Sequence, residues 1–191
     1  MKIGLFFGSF NPIHVGHLII ANIMAETTDL KKVWFVVSPQ NPFKPARGLL
    51  HEFDRYDMVR AAVYDSYKLE VSDIEFHLPK PSYTIHTLVH LAEKHPDKSF
   101  RVIIGEDNLE SFSRWRNHEL ILRDYGLYVY PRPGAQPSEL KKHPNVTMVE
   151  APLLDISATF IRNCIRKKQS VRYLVPDAVE EMIRVKGFYQ D

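Results

Sequence analysis

The chain has very little cysteine and no excess of charge of either sign. Among its 191 residues the single cysteine is Cys164, which excludes an intramolecular disulfide framework. Lys and Arg number 25 against 23 Asp and Glu, so the net charge of +2 supplies no field that would attract nucleic acid as a bulk partner. These shortages predict a reducing, cytoplasmic setting and leave small anionic molecules open as ligands.

Long apolar runs are also missing. No run approaches the roughly 18 apolar residues of a membrane span, and the start MKIGLFFGS has neither the apolar core nor the cleavage site of a signal peptide. We therefore expect no membrane partner. The chain is nevertheless 45% hydrophobic and 12% aromatic, which is enough to bury a full core, so residues 1–191 are expected to form a single domain.

The order of apolar and amphipathic segments indicates the fold class. Apolar runs bounded by Gly and Pro alternate with segments of helical period, as in βαβ units around a parallel sheet. We predict an α/β fold with a Rossmann-like, doubly wound parallel sheet. Strands are expected at 2–7, 32–37, 100–104, 127–130 and 146–150. Helices are expected at 15–27, 52–67, 83–95, 106–115, 117–123, 157–167 and 176–186, the first with Leu18, Ile19 and Ile23 along one side.

A glycine-containing turn at residues 8–12 separates the first predicted strand from the first helix. The carboxyl end of a parallel strand is where α/β sheets bind ligands. A helix N-terminus adds unsatisfied N–H groups and a partial positive charge, so phosphate is the natural ligand. The turn fits neither G-x-G-x-x-G nor G-x-x-x-x-G-K-[ST], which excludes the dinucleotide fingerprint and the P-loop.

His14 and His17 stand at the start of that helix with Gly16 between them. The spacing of three lets both rings lie on one face, and Gly16 adds no side chain that would crowd a bound group. Two imidazoles there can donate hydrogen bonds and, if protonated, positive charge to the oxygens of a reacting phosphorus. One of the histidines could instead be a cap or a core residue. Zinc would need further ligands that the sequence does not cluster, so no metal site is predicted.

Two segments resemble the signatures of the nucleotidyltransferase superfamily. GSFNPIHVGH at 8–17 is similar to [ST]-F-[DN]-P-x-H-x-G-H, and ISATFIR at 156–162 is similar to I-S-S-T-x-I-R. The whole chain resembles the bacterial nicotinate-nucleotide adenylyltransferases of that superfamily. This likeness extends through PSYTIHTL (81–88), IIGEDNLESFSRW (103–115), PRPG (131–134) and RYLVPDAVEEMIRVKGFY (172–189). Departures include Asn11 in place of Asp and His86 in place of a frequent Asp.

The resemblance implies an activity and a set of site residues. The activity is transfer of the adenylyl group of ATP to nicotinate mononucleotide, giving deamido-NAD and pyrophosphate, with Mg²⁺ arriving with ATP. Catalytic roles fall on His14, His17 and Arg162. ATP-binding roles fall on Gly8, Ser9, Phe10, Gly105, Asp107, Ser157 and Thr159. Binding of the acceptor falls on Lys44, Thr84, Ile85, Trp115, Arg116 and Arg132.

Physical reasoning supports the second phosphate site and leaves alternatives for other residues. Ser157 and Thr159 lie at a predicted helix start, where hydroxyls and free N–H groups bind either the helix's own first turn or a phosphate. Arg162, one turn further on, either points the same way or extends into solvent. Asp107 could bind a ribose hydroxyl or cap a helix, and Trp115 could stack on the pyridine or pack in the core. Lys44 and Arg132 could lie in solvent, and Cys164 is expected to be a small packed residue.

Two other functions stay open at this point. Both signatures concern ATP, so the acceptor could instead be nicotinamide mononucleotide or phosphopantetheine. The chain could also be an adenine-nucleotide-binding module without turnover, although His14, His17 and Arg162 are all present. Assembly into a homo-oligomer is compatible with the sequence and is not decided by it.

Overall fold

A computed structural model describes residues 1–39 and 48–190 of the chain. Its centre is a six-stranded parallel sheet in the order β3-β2-β1-β4-β5-β6. The strands are β1 (Lys2–Gly8), β2 (Lys32–Val37), β3 (Leu69–Ser72), β4 (Ser99–Gly105), β5 (Leu127–Tyr130) and β6 (Val146–Met148). This order is that of a doubly wound Rossmann-like sheet, so the predicted α/β fold class is confirmed.

Helices cover both faces of the sheet. They are α1 (Val15–Thr27), α2 (Glu52–Val63), α3 (Thr84–Lys94), α4 (His118–Leu120), α5 (Ala158–Arg166) and α6 (Asp177–Lys186). One hydrophobic cluster joins α1, α2, α5 and α6 to the sheet, and a second joins α3 and the residues Ile121 and Leu122, which follow α4, to the opposite face. Cys164 is buried in the first cluster, as expected. In the part of the chain that the model describes, no helix has the length and apolar character needed to cross a membrane.

Some local predictions were wrong. Strand β3 was missed because its four residues, LEVS, form no apolar run, and only Leu69 is buried. Helix α2 ends at Val63, four residues earlier than expected. Of the residues expected along one side of α1, Leu18 and Ile23 are partly buried against the first cluster, whereas Ile19 is 38% exposed. The buried residues are Ile20, Ala21, Met24 and Ala25.

The segment predicted as two helices between residues 106 and 123 consists of shorter turns. It contains the 3₁₀ turns Glu106–Asn108 and Phe112–Arg114, and α4 continues as a single π turn, Ile121–Tyr125. Leu109 and Phe112 are buried, and Trp115, three positions further on, packs against the same cluster. A spacing of three suits 3₁₀ geometry, in which residues i and i+3 eclipse, and the turns therefore keep these side chains on one side.

A fully buried arginine fixes the backbone beyond β1 and β2. Arg55 of α2 donates from its guanidinium to the carbonyl oxygens of four residues, with nitrogen–oxygen distances of 2.6–2.9 Å. These acceptors are Ser9, Ser38, Pro39 and Leu50. Arg55 thus connects the two segments that leave the sheet at its carboxyl edge.

Candidate active site

Two cavities open at the carboxyl edge of the sheet, where the chain switches from β1 to β4. The histidine cavity, about 370 Å³, is lined by Ser9, Phe10, His14, His17, Asp107, Arg132, Ser157, Thr159 and Arg162, among others. The tryptophan cavity, about 220 Å³, is lined by Glu75, Ser82, Tyr83, Thr84, Gly105, Trp115 and Arg116, among others. Gly8, Ser9 and Asn108 line both. The two cavities are therefore neighbours at the topological switch point, where open α/β sheets bind ligands.

The turn after β1 is held by an aromatic ring beneath it. Phe10 has a φ of +45° and a buried ring that packs edge-on against Phe35, with 5.3 Å between centroids. A Cβ on Gly8 would lie 2.8 Å from the Phe10 ring, so only glycine fits there without displacing it. Gly8 and Phe10 thereby place the backbone of Ser9 in the wall of both cavities.

His14 is the N-cap residue of α1 and His17 lies in its first turn, and their rings lie on one side, as their spacing predicts. Their rings stack with centroids 3.7 Å apart and planes 26° from parallel. A Cβ on Gly16 would lie 2.5 Å from Ile156 Cγ2 and 3.0 Å from His14 Nδ1, so the close approach of these groups requires glycine. The backbone N–H of His14 donates to His17 Nδ1 at 3.3 Å. Because Nδ1 accepts this bond, the proton of a neutral His17 ring lies on Nε2.

His14 is neutral at pH 7 in the free protein. Its side chain is 5% exposed, and burial together with the positive charge of Arg132 lowers its pKa to about 4. Within residues 1–39 and 48–190, its Nδ1 is one of the few buried side-chain polar atoms without a hydrogen-bond partner. The positive charge that a protonated His14 could contribute is therefore absent before a ligand binds.

The start of α5 faces the histidine pair from the other side of the histidine cavity. Ser157 is the N-cap, and its Oγ accepts from the N–H of Phe160 at 3.2 Å. Arg162 donates to Thr159 Oγ1 at 3.1 Å and to the carbonyl oxygen of Asn11 at 2.7 Å. Arg162 therefore points towards the turn after β1 and not into solvent. Its buried Nε has no partner in the described part of the chain.

Asn11 joins four segments around this arginine. Its carbonyl oxygen accepts from Arg162, and its Nδ2 donates to the carbonyl oxygen of Gly48 at 2.8 Å. Its Oδ1 accepts from the N–H of Leu50 at 3.3 Å and from the hydroxyl of buried Tyr189 at 2.8 Å. The turn after β1 is thus bonded to the segment before α2, to α5 and to the segment after α6.

The charges lining the histidine cavity suit a polyphosphate. Arg132 Nε lies 3.9 Å from Asp107 Oδ1, and Arg132 also donates to the carbonyl oxygen of Leu154 at 3.3 Å. Arg162 supplies a second guanidinium in the same cavity. Arg132 was predicted to bind the acceptor, yet it lies here beside Asp107, whereas Gly105, predicted to bind ATP, lines the tryptophan cavity.

The tryptophan cavity combines flat rings with a helix start. Trp115 is half-buried against Phe112, with ring centroids 5.3 Å apart, and the Arg116 guanidinium stacks 5.1 Å from the Tyr83 ring centre. Thr84 is the first residue of α3, so its backbone N–H points out of the N-terminal end of the helix and has no acceptor within the helix. The side chain of Ile85 is buried and lines a separate surface groove. Lys44 lies outside the described residues.

One acid in this cavity was not predicted from the sequence. Glu75, in the 3₁₀ turn Ile74–His77, is 2% exposed and lines the tryptophan cavity. A single glutamate between Ile74 and Phe76 matches no motif and no helical face. The only signal in the sequence is that both of its neighbours are apolar, and this pattern is too common to identify a site.

A doubly wound sheet with two histidines and a second helix start at its switch point is the architecture expected of a nucleotidyltransferase. The chain belongs to the cytidylyltransferase-like family, whose model matches residues 5–164. It is 62% identical over 191 residues to a protein of Cytophaga hutchinsonii named "Probable nicotinate-nucleotide adenylyltransferase", with all of both chains covered. A Flavobacterium johnsoniae protein of the same name is 51% identical over 192 residues, again with 100% of both chains covered. Within its family the chain therefore belongs to the nicotinate-nucleotide adenylyltransferases.

Solved structures share the fold at low sequence identity. A Plasmodium falciparum nicotinic acid mononucleotide adenylyltransferase complexed with NaAD superposes with a TM-score of 0.83 at 21% identity, covering 98% of this chain and 97% of that one. A putative nicotinate-nucleotide adenylyltransferase from Vibrio parahaemolyticus gives 0.73 at 20% identity, covering 100% and 96%. These likenesses establish the architecture across the whole chain.

Proposed function

We propose that the chain transfers the adenylyl group of ATP to nicotinate mononucleotide, giving deamido-NAD and pyrophosphate in NAD biosynthesis. The observation that carries this proposal is the pair of adjoining cavities. The histidine cavity presents two guanidinium groups and two helix starts, and the tryptophan cavity presents flat rings and the start of α3. Because both share the backbone of Gly8 and Ser9, two bound phosphates can meet between them.

ATP is assigned to the histidine cavity. Arg132 and Arg162 balance the charge of the phosphates, and the N–H groups of Ala158 and Thr159 at the start of α5 bind their oxygens. Gly8, Ser9 and Phe10 contact the nucleotide through their backbone, and Asp107 contacts the ribose. Ser157 and Thr159 stand beside the pyrophosphate that departs.

Nicotinate mononucleotide is assigned to the tryptophan cavity. The pyridine ring stacks on the indole of Trp115, and its carboxylate accepts from the N–H groups of Thr84 and Ile85 at the start of α3. Arg116 stands at the same wall and contributes positive charge. Lys44 is assigned to the acceptor from the sequence alone.

The reaction follows from this placement without a covalent enzyme intermediate. An oxygen of the acceptor phosphate attacks the α-phosphorus in line and forms the new P–O bond. The bond from that phosphorus to the bridging oxygen breaks, and pyrophosphate leaves with the electron pair. His17 donates from Nε2 to the oxygens where charge develops, and neutral His14 packs against His17 and holds its ring. Catalysis is therefore positioning and charge stabilisation.

Magnesium enters this scheme as part of the ATP substrate. Residues 1–39 and 48–190 contain no group of three or more His, Cys, Asp or Glu that could cage a metal ion. An ion carried by the phosphates needs few protein ligands, and Asp107, assigned above to the ribose, lines the same cavity. Its chemistry is to neutralise charge on the phosphate oxygens. A cytoplasmic location and a possible homo-oligomer stay predictions from the sequence.

The acceptor is tested by measuring pyrophosphate release from ATP with nicotinate mononucleotide, nicotinamide mononucleotide and phosphopantetheine. We expect kcat/KM to favour nicotinate over nicotinamide mononucleotide by roughly 10²-fold or more, because a carboxamide turns its NH₂ towards an N–H donor at the start of α3. Each unsatisfied buried group costs about 1–3 kcal/mol, and about 1.4 kcal/mol is tenfold. Trp115→Ala should weaken both mononucleotides and keep the preference, since an indole stacks on either ring.

Comparable kcat/KM values for nicotinate and nicotinamide mononucleotide would refute the assignment of an acid-selective acceptor site. Faster turnover with phosphopantetheine would reassign the acceptor, and ATP binding without turnover on any acceptor would leave a nucleotide-binding module. Loss of the preference in Trp115→Ala would mean that the indole orders the carboxylate site.

Arg162→Ala is expected to raise KM for ATP, and for pyrophosphate in the reverse reaction, by about 10–100-fold, while KM for the acceptor changes less than threefold. The reason is that hydrogen bonds to charged groups contribute about 1.5–3 kcal/mol. Arg162 lines the histidine cavity and does not line the tryptophan cavity. Steady-state kinetics with each substrate varied in turn gives the comparison. Arg166→Ala, one turn further along α5 and outside both cavities, is the matched control. Equal effects on both substrates would make Arg162 a structural residue.

A further inference from the structure

Glu75 is a buried acid in the wall of the tryptophan cavity that the proposed reaction does not use. It follows β3 in the turn Ile74–His77, and only 2% of it is exposed. Burying a carboxyl group is costly unless its oxygens accept hydrogen bonds. Glu75 is therefore expected to have hydrogen-bond donors around its carboxyl group, and two of them lie at the start of α3.

The hydrogen bonds of Glu75 bracket that helix start. Its Oε2 accepts from the hydroxyl of Ser82 at 2.8 Å, and its Oε1 accepts from the hydroxyl of Thr87 at 2.9 Å. Both partners are themselves buried. Ser82 precedes the N-cap Tyr83, and Thr87 lies in the first turn of α3. The carboxyl group thus bonds to the chain on both sides of Thr84.

A third hydroxyl completes the environment. Ser38, which directly follows β2, lowers the pKa of the Glu75 carboxyl, but burial has the larger effect and raises that pKa above its usual range. Ser38 lines the same cavity, and its carbonyl oxygen accepts from Arg55. Glu75 therefore connects the start of α3 to the carboxyl edge of the sheet.

We infer that Glu75 is a positioning residue for the acceptor: it fixes the start of α3, and with it the N–H groups that receive the pyridine carboxylate. The inference rests on the proposed function. Both carboxyl oxygens are already occupied by hydroxyl groups, so Glu75 acts through Ser82 and Thr87. None of these three residues lines the histidine cavity. A change at Glu75 is therefore expected to affect the acceptor and to spare ATP.

The test compares KM for each substrate in Glu75→Met, which keeps the length of the side chain and removes both acceptor oxygens. KM for nicotinate mononucleotide is expected to rise about tenfold or more, because two buried hydroxyl groups lose their partner, while KM for ATP stays within about twofold. Glu75→Gln keeps one acceptor oxygen and should recover most of the acceptor affinity. Glu93→Met, which removes an exposed acid near the other end of α3, is the matched control and should change neither KM.

Ser82→Ala and Thr87→Val keep the test decisive if Glu75→Met does not fold. Each removes one hydrogen bond to Glu75 and should raise KM for the acceptor by about threefold or more without a matching rise for ATP. Absence of turnover in the unmodified protein would overturn the proposed function itself. Turnover in the unmodified protein together with an unchanged acceptor KM in the variants, or with equal rises in both KM values, would overturn the positioning role.

Discussion

Replacing His17 by alanine is expected to lower kcat by about 10²–10³-fold without unfolding the protein. Preorganised donors aimed at developing charge contribute roughly 2.7–4 kcal/mol to a transition state. The His17 ring is fixed for that task, since its Nδ1 accepts from the backbone of His14, and the ring stacks on His14 and packs perpendicular to Phe10. The measurement is kcat at saturating ATP and acceptor, with the melting temperature as a check on the fold.

The exposed His77 provides the control for this experiment. It lies outside both cavities, so His77→Ala should retain the kcat of the unmodified protein. Near-native turnover of His17→Ala would contradict the catalytic role, and a collapse of its melting temperature would mean that the ring is needed for packing.

Replacing Arg55 by methionine is expected to lower the free energy of unfolding by about 3 kcal/mol or more. The four carbonyl oxygens that accept from its guanidinium would lose their donor, and each buried unsatisfied group costs about 1–3 kcal/mol. Part of this cost is offset because the methionine variant no longer buries a positive charge, which itself costs free energy. Arg55→Lys should recover little, because an ammonium has three donors and lacks the planar fork.

Urea unfolding of the two variants beside Arg60→Met measures the effect. Arg60 stands on the same helix but is exposed and pairs with Asp57, so its replacement should change the free energy of unfolding by less than about 0.5 kcal/mol. A loss below about 1 kcal/mol in Arg55→Met would show that the carbonyl groups find other donors.

The sequence predicted those parts of the molecule whose signals are local. Five of the six strands are apolar runs, and their alternation with helices implied the parallel sheet. The motifs at 8–17 and 156–162 were predicted to start helices beside a ligand, and the model places both in the histidine cavity. The spacing of His14 and His17 predicted that their rings can lie on one face, and the rings are stacked there.

The missed features depend on contacts between distant segments. Glu75 and Arg55 are single charged residues whose burial is made favourable by groups elsewhere in the chain, so no local pattern marks them. Strand β3 is polar enough to resemble a loop and is defined by its pairing with β2. Arg162 could have extended into solvent, and only the fold shows that it reaches Asn11, 151 positions away.

The bonds of Asn11 decide when the histidine cavity can form during synthesis. Asn11 is made before its partners Arg162 and Tyr189, which lie 151 and 178 positions further along the chain. The nascent chain can pair β1 with β2 and cover that pair with α1 while the ribosome is still adding residues. The turn after β1, however, lacks its two distant partners until residue 189 has emerged. A ribosome-bound intermediate that already contains the histidine pair is therefore expected to have no formed site for ATP.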